Sequence, residues 1–319
     1  MFETTAAADI GSAYLRIALR GGVFSDEARA ALDPSNPTRV LAFGGAARRL
    51  LNASEAHPVG ECVSDIELTG MMLRRLVLDS SKRHTLFGMN LVIALPPRVR
   101  SVERDAAFAA GRAAGFRRIT AVEAGLAGAI GAGLDIGGDT AHMTADIGRC
   151  GVRMLTFANG GALAAYRTSF GSTAFDRSIA AWLAENKGVA VGMRAAEKLK
   201  MSYGGESAGS AGSKLDSGRS QRLSVTDAEL EEAMRPAMNR LITAFSSAMN
   251  ELPPEAAADL IDNGVTLIGG GAKLHGLPKT LSDALGVPVR MAEDPENAVA
   301  NGMRKAMRGE AELLNLMAG

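Results

Sequence analysis

Two carboxylate–glycine turns carry the chemistry this chain can do. Ala8-Asp9-Ile10-Gly11 lies near the N-terminus, and Ala145-Asp146-Ile147-Gly148 near the middle. Each runs through a polar turn into a strand-like stretch. These are Tyr14-Leu15-Arg16-Ile17-Ala18-Leu19 after the first and Val152-Arg153-Met154-Leu155-Thr156-Phe157 after the second. A carboxylate followed by glycine at a hairpin turn can hold a metal-bound phosphate. Glycine lets backbone N–H groups approach the anion, and the carboxylate orients the metal's waters. One such turn is a common Asp-x-Gly turn. Two, separated by most of a domain, point to two related halves facing one nucleotide. A third turn, Gly269-Gly270-Gly271, follows the strand-like Gly264-Val265-Thr266-Leu267-Ile268. Its bare backbone could lie against a base or sugar where a side chain would clash.

The elements that must position these turns read as α/β. The length of 319 residues predicts about two domains, and 47% apolar residues fill their cores and exclude a disordered chain. Acidic and basic residues balance at 35 each, so no global field attracts nucleic acid. The four histidines, at 57, 84, 142 and 275, are not spaced as metal ligands. Cys62 and Cys150 are too few for a disulfide framework and fit a reducing compartment. No apolar run approaches the roughly 20 residues of a membrane span, and the N-terminus lacks the basic and apolar regions of a signal peptide. A cytoplasmic protein is expected.

Along the chain, residues 8–19 read as a strand after a turn, and 21–37 as loop. A short strand at 39–44 precedes a helix through Leu51, and residues 68–78 have helical spacing. Asn90-Leu91-Val92-Ile93-Ala94-Leu95 is a continuous apolar run, the pattern of a buried parallel strand. A helix over 102–114, ended by Gly115, precedes a strand at 119–122 and a small-residue helix at 124–132. A hairpin at 143–168 opens the second half, with helices at 174–186, 193–201 and 227–250. The Gly/Ser/Ala run at 204–213 reads as a flexible loop, and Gln221-Arg222-Leu223-Ser224-Val225 as a hairpin arm. Strand and helix alternate as in an α/β sheet.

Several longer stretches sharpen this. Pro253-Pro254-Glu255-Ala256-Ala257-Ala258-Asp259-Leu260 leads into Thr266-Leu267-Ile268-Gly269-Gly270-Gly271-Ala272-Lys273-Leu274, then Gly286-Val287-Pro288-Val289 and Ala292-Glu293-Asp294-Pro295. With Ala129-Ile130-Gly131-Ala132-Gly133-Leu134, Phe175-Asp176 and Ala196-Glu197-Lys198-Leu199-Lys200, they occur in the order and rough spacing of the MreB family. The chain resembles these actin-fold bacterial cytoskeletal proteins over nearly its whole length. The resemblance implies an actin-like fold, two related α/β domains around a central cleft that holds ATP or ADP with Mg²⁺. Domain I would comprise 1–141 plus 298–319, with a small insertion at about 25–68. Domain II would comprise 142–297, with a reduced outer part at about 188–250.

Carried over position by position, Asp9, Gly11, Ser12 and Ala13 fall in the first phosphate turn, and Asp146, Gly148 and Arg149 in the second. Asp9 and Asp146 would hold the metal through water. Gly171, Ser172 and Asp176 fall on the ribose side. Glu197 and Lys200 fall on the helix flanking the nucleoside, and Gly269, Gly270 and Gly271 in the adenosine loop.

The departures bear on turnover. The family's second turn, Asp-Ile-Gly-Gly-Gly-Thr, reads Asp146-Ile147-Gly148-Arg149-Cys150-Gly151 here, so the water-placing threonine falls on Gly151. The family's Glu-Glu-Pro reads Glu123-Ala124-Gly125, so the water-activating glutamate falls on Ala124. Glu123, one position away on a helix start, would point about 100° elsewhere. In the first turn the family's Asn and Thr fall on Tyr14 and Leu15. Losing water alignment and proton acceptance removes about 10²-fold or more each, so hydrolysis is expected to be slow, with Glu123 and Asp146 the remaining catalytic candidates. Arg149 either contacts phosphate and substitutes for part of the metal's charge, or is a solvated turn arginine.

Ser81-Lys82-Arg83-His84-Thr85-Leu86-Phe87-Gly88-Met89 offers a further surface. Leu86, Phe87 and Met89 either form an apolar tip that touches the inner membrane beside Lys82 and Arg83, or pack beneath the sheet. The expected function is an ATP-binding filament that scaffolds cell shape or wall synthesis, with itself and cell-shape or wall-synthesis proteins as partners. The alternative is a non-polymerising pseudo-ATPase working inside a partner complex. A sugar-kinase-type enzyme would need a catalytic Asp near a sugar pocket, and no such motif stands out.

Overall fold

The computed structural model describes residues 4–50, 52–205, 208–214 and 220–308. The chain opens with an antiparallel meander of β1 (Thr4–Ile10), β2 (Tyr14–Leu19) and β3 (Gly22–Glu27). A small sheet of β4 (Ala30–Asp33), β5 (Asn36–Phe43) and β6 (Ser54–Ala56) follows, with the single-turn α1 (Gly44–Ala47) before its last strand. Next come α2 (Ile66–Ser81), β7 (Met89–Leu95), α3 (Ser101–Ala114), β8 (Arg118–Glu123) and α4 (Ala124–Gly131). The second half starts over with the meander β9 (His142–Ile147), β10 (Val152–Ala158) and β11 (Gly161–Arg167). Its outer part holds α5 (Thr173–Lys187), β12 (Val189–Ala190), α6 (Met193–Ser202), β13 (Ala208–Lys214) and β14 (Ser220–Val225). Then α7 (Asp227–Asn250), α8 (Pro254–Asn263), β15 (Val265–Ile268), α9 (Leu277–Leu285), β16 (Val289–Met291) and α10 (Ala298–Met307) complete it.

Both main sheets are built alike. The first runs β3-β2-β1-β7-β8 and the second β11-β10-β9-β15-β16. In each, the meander is antiparallel and the two later strands join in parallel. Parallel strands buried on both faces need apolar residues throughout, and Leu91, Val92, Ile93, Ala94 and Leu95 of β7 are all buried.

The cores form three layers. Behind the first sheet, Leu73, Val77, Ala107, Ala110 and Phe116 pack against Ile17, Leu91 and Ile93. Behind the second, Phe175, Ile179, Leu241, Phe245 and Leu260 pack against Met143, Met154 and Leu267. Between the sheets, α4 and α10 share a core with Ala7, Val92, Leu155, Phe157 and Ile268. Their backbones nearly touch: a Cβ on Gly131 would stand 1.8 Å from the Ala298 carbonyl oxygen, and one on Gly302 1.8 Å from that of Ala127. Only glycine permits this approach. Elsewhere local signals set the ends. Asp65 caps α2 by accepting from the Leu68 N–H, Thr226 and Glu229 form a capping box on α7, and Gly115 ends α3 at φ 108°.

Three sequence expectations are corrected. Residues 21–37 are not loop but carry β3, β4 and the start of β5. β3 is an edge strand whose Ser25, Asp26 and Glu27 blunt it against further pairing, which removes its hydrophobic signal. The Gly/Ser/Ala run is not a loop over 208–214: it is β13, paired between β12 and β14. Residues 206 and 207 of that run lie outside the described residues. The helix expected through Leu51 is only the four residues of α1.

Candidate functional site

The two turns meet. β1 ends at Ile10 and β9 at Ile147, and the loop after each is closed by the same bond: Gly11 N–H donates to the Tyr14 carbonyl at 3.1 Å, and Gly148 N–H to that of Gly151 at 2.9 Å. Ser12 is buried. Arg149, from the second turn, reaches the first and donates from Nη1 to the Ser12 carbonyl at 3.4 Å. The same nitrogen lies 3.2 Å from His57 Nδ1. Burial, followed by the Arg149 charge, pushes the His57 imidazolium pKa down, which suits Nδ1 as the acceptor. Arg149 is therefore half-buried and bridges the two halves, not a solvated turn residue.

Register places a guanidinium opposite each carboxylate. Asp9 pairs with Arg16 across β1–β2, and Asp146 with Arg153 across β10–β9. Arg16 Nη1 lies 3.9 Å from Asp9 Oδ2, and Arg153 Nη1 3.5 Å from Asp146 Oδ2. Burial, more than any charge, pushes the Asp9 carboxyl up. Arg16 and Arg153 oppose that rise and Asp146 adds to it, so one field joins the pairs. Arg16 and Arg153 are the residues that reading the sequence for carboxylate turns missed. The signal was there: each arginine follows its aspartate by the same Asp-x-x-x-x-x-x-Arg interval.

Gly171 and Ser172 buttress the second turn. Ser172 N–H donates to the Gly148 carbonyl at 2.9 Å and Thr173 N–H to that of Arg149 at 3.1 Å. A Cβ on Gly171 would stand 2.3 Å from the Gly148 carbonyl oxygen. Asp176, 3% exposed, is committed to Lys200 at 2.8 Å, and Lys200 also donates to the Ser172 carbonyl at 3.3 Å. Glu197 stands close enough to disfavour Asp176 ionisation. Asp176 and Lys200, with the Ser172 carbonyl, thus tie α5 to α6 beneath the turn.

The glycine triplet faces mainly inward. β15 lies parallel to β9, with Ile268 opposite Asp146. A Cβ on Gly269, at φ 80°, would stand 2.2 Å from Asp146 Oδ1, and one on Gly271 2.3 Å from Ile147 Cγ2. Gly270 alone has no close backbone neighbour, its nearest atom being Glu296 Oε1 at 3.8 Å. Two of the three glycines thus seat the loop against the second turn.

Glu123 is the N-cap of α4, accepting from the Gly125 N–H at 2.9 Å. Its second oxygen is buried with no hydrogen-bond partner among the described residues. Burial pushes its carboxyl up to about 7. Leu86 and Met89 do not form an exposed tip: each is 3% exposed and packs in the core behind the first sheet, while Phe87 is 78% exposed. Gly88, at φ 71°, turns the chain so that its two neighbours part. No helix among the described residues is long and apolar enough to cross a membrane.

A model of the MreB/Mbl protein family matches residues 3–315. The chain belongs to this family. The cell shape-determining protein Mbl of Bacillus subtilis (strain 168) is 28% identical, over 95% of each chain. The cell shape-determining protein MreB of Escherichia coli (strain K12) is also 28% identical, over 96% of this chain and 94% of the relative. The actin-like MreB/Mbl fold is seen directly in solved structures. MreB5 of Spiroplasma citri bound to AMPPNP superposes at a TM-score of 0.91, with 21% identity over 99% of each chain. The MamK double helical filament superposes at 0.79, with 15% identity over 95% of this chain and 98% of that one. Within the MreB/Mbl frame, the paired turns of this chain lie where its two sheets face each other.

Proposed function

We propose that this MreB/Mbl chain binds ATP or ADP between its two halves and assembles into filaments that scaffold cell shape or wall synthesis. One observation carries the reading: the two turns share one hydrogen-bond geometry and are bridged by Arg149 to the Ser12 carbonyl. Gly11 and Gly148 spend their own N–H groups closing the turns, so the N–H groups that follow them in the two loops are the ones that would face one anion and hold a phosphate chain from both sides. Asp9, Gly11, Ser12 and Ala13 line one side, and Asp146, Gly148 and Arg149 the other. Gly270 offers the open backbone of the third turn to the nucleoside. Asp176, Lys200, Ser172 and Gly171 position the second turn. The relatives' cell-shape names and the MamK filament support assembly. In the division we adopt, domain I is 1–141 plus 298–319 and domain II is 142–297, so that α10 returns to α4.

Hydrolysis is slow in this reading. Gly151 offers no hydroxyl and Ala124 no carboxylate, and Glu123 is held at the N-cap of α4, with one oxygen on the Gly125 N–H and the other buried. Mg²⁺ held through water by Asp9 and Asp146 does not fit the residues present, because each carboxylate faces a guanidinium. A membrane contact by one exposed side chain, Phe87, is worth about 2 kcal/mol at most, too little for a protomer to hold a bilayer.

Sedimentation at micromolar protein, with and without ATP, tests the reading. Nucleotide-dependent pelleting is expected. Soluble protein under both conditions, with ATP bound, would instead support the non-polymerising module of a partner complex.

A further inference from the structure

We propose that the phosphate end of the cleft supplies its own cations, Arg16, Arg149 and Arg153, and takes a nucleotide's phosphates without a divalent metal. This deepens the nucleotide-binding reading and rests on it.

The charges are arranged in pairs. Arg16 faces Asp9 and Arg153 faces Asp146, each directly across its hairpin. All four side chains are 11–23% exposed, so solvent screens them only in part. Arg149 adds a third guanidinium at the Ser12 carbonyl. At the two turns themselves three guanidiniums stand against two carboxylates, while Asp176, which also feels the Arg149 charge, is paired with Lys200 at 2.8 Å. A divalent cation entering there would meet repulsion, and the carboxylates that should orient its waters already face opposite charges. A phosphate meets the reverse: it can pair with a guanidinium through two N–H groups.

Donors remain for that role. A guanidinium has five N–H donors. Arg16 uses Nε on Asn297 at 3.2 Å, and Arg153 uses Nη2 on the Glu61 carbonyl at 3.5 Å. The groups also lie over the turns themselves. A Cβ on Gly148 would stand 3.4 Å from Arg153 Nη1, and one on Gly11 4.0 Å from Arg16 Nη1. Thus the cations sit above the two glycines whose backbones would face the phosphates. The aspartates hold the guanidiniums in register, as a bound metal would otherwise be held.

The test is calorimetric titration of the nucleotide-stripped full chain with ATP, in EDTA and in excess Mg²⁺, with adenosine as control. Kd for ATP should agree within about threefold between the two conditions, and adenosine should bind at least about tenfold more weakly. Arg16→Leu with Arg153→Leu should weaken ATP binding in EDTA by about tenfold or more and make it recover with Mg²⁺. Arg153→Lys, which keeps a charge, should stay independent of metal and guards against a folding loss. Loss of wild-type ATP binding in EDTA alone overturns the inference and leaves the nucleotide reading intact, as does equal affinity for adenosine. No binding of ATP in either condition overturns both.

Discussion

Glu103 on α3 accepts two N–H donors from Arg167 on β11, at 2.9 and 3.2 Å, and so ties the first sheet's outer helix to the last strand of the second meander. Its side chain is 4% exposed. Arg100, at the N-cap of α3, adds two more donors, its backbone N–H at 3.0 Å and Nη2 at 2.8 Å. The fork from Arg167, ahead of the burial that opposes it, holds the Glu103 carboxyl down at about 2. This pair links the two halves, and Arg194 on α6 makes a second link to Glu55 on β6 at 2.6 Å.

Glu103→Gln should therefore lower stability at neutral pH by roughly 2 kcal/mol, since the half-buried Arg167 guanidinium loses its charged partner. The folded pKa lies below the ordinary value, so the ion pair's contribution is present above about 4.5 and lost as pH falls towards about 2. Urea denaturation across that window should show the gap between the two proteins closing. A constant gap would show that the charge is not what matters.

Glu123 has the opposite sign. Its folded pKa of about 7 lies above the ordinary 4.5, so its contribution is complete below 4.5 and is lost as pH rises through about 7. The shift corresponds to a loss on the order of 3 kcal/mol. Thermal melts from acid to mildly alkaline pH should show wild type falling relative to Glu123→Gln, which keeps an oxygen for the Gly125 N–H. Parallel curves would refute the assignment.

The slow turnover proposed above would trace to two missing groups. Ala124→Glu with Gly151→Thr should raise the phosphate-release rate by about tenfold or more, because it returns a proton acceptor and a water-placing hydroxyl together. Each change alone should do much less. A wild-type rate already typical of active actin homologues would sink the proposal of slow hydrolysis.

Leu86 and Phe87 are neighbours with different fates. Leu86→Ser should cost roughly 3 kcal/mol in stability, because it places a hydroxyl in the core behind the first sheet. Phe87→Ser should leave the melt unchanged, and with it any vesicle co-sedimentation can be assigned. Unassembled wild-type protein should co-sediment with anionic vesicles no more than Phe87→Ser does; clear wild-type binding that Phe87→Ser abolishes would overturn the view that one side chain is too little.

The sequence by itself determined the α/β class, the two related halves and the positions of the three glycine turns. Those features are local: the β7 run of Asn90-Leu91-Val92-Ile93-Ala94-Leu95, the repeated Ala-Asp-Ile-Gly phrase and the caps at Gly115 and Thr226 each act within one element. β13 escaped because Gly and Ser carry no side-chain period, and its strand state comes from the ladders on either side. Tertiary structure alone decided the roles of individual side chains. Arg16 faces Asp9, and Arg153 faces Asp146, only once hairpin register is fixed. Gly269 and Gly271 became packing glycines because β15 runs beside β9, and Leu86 became core because α2 and β7 close over it. Arg149 bridges the turns only because the two sheets meet there. A chain pattern reports what each residue prefers, whereas the partner that satisfies it is set by residues far away in sequence.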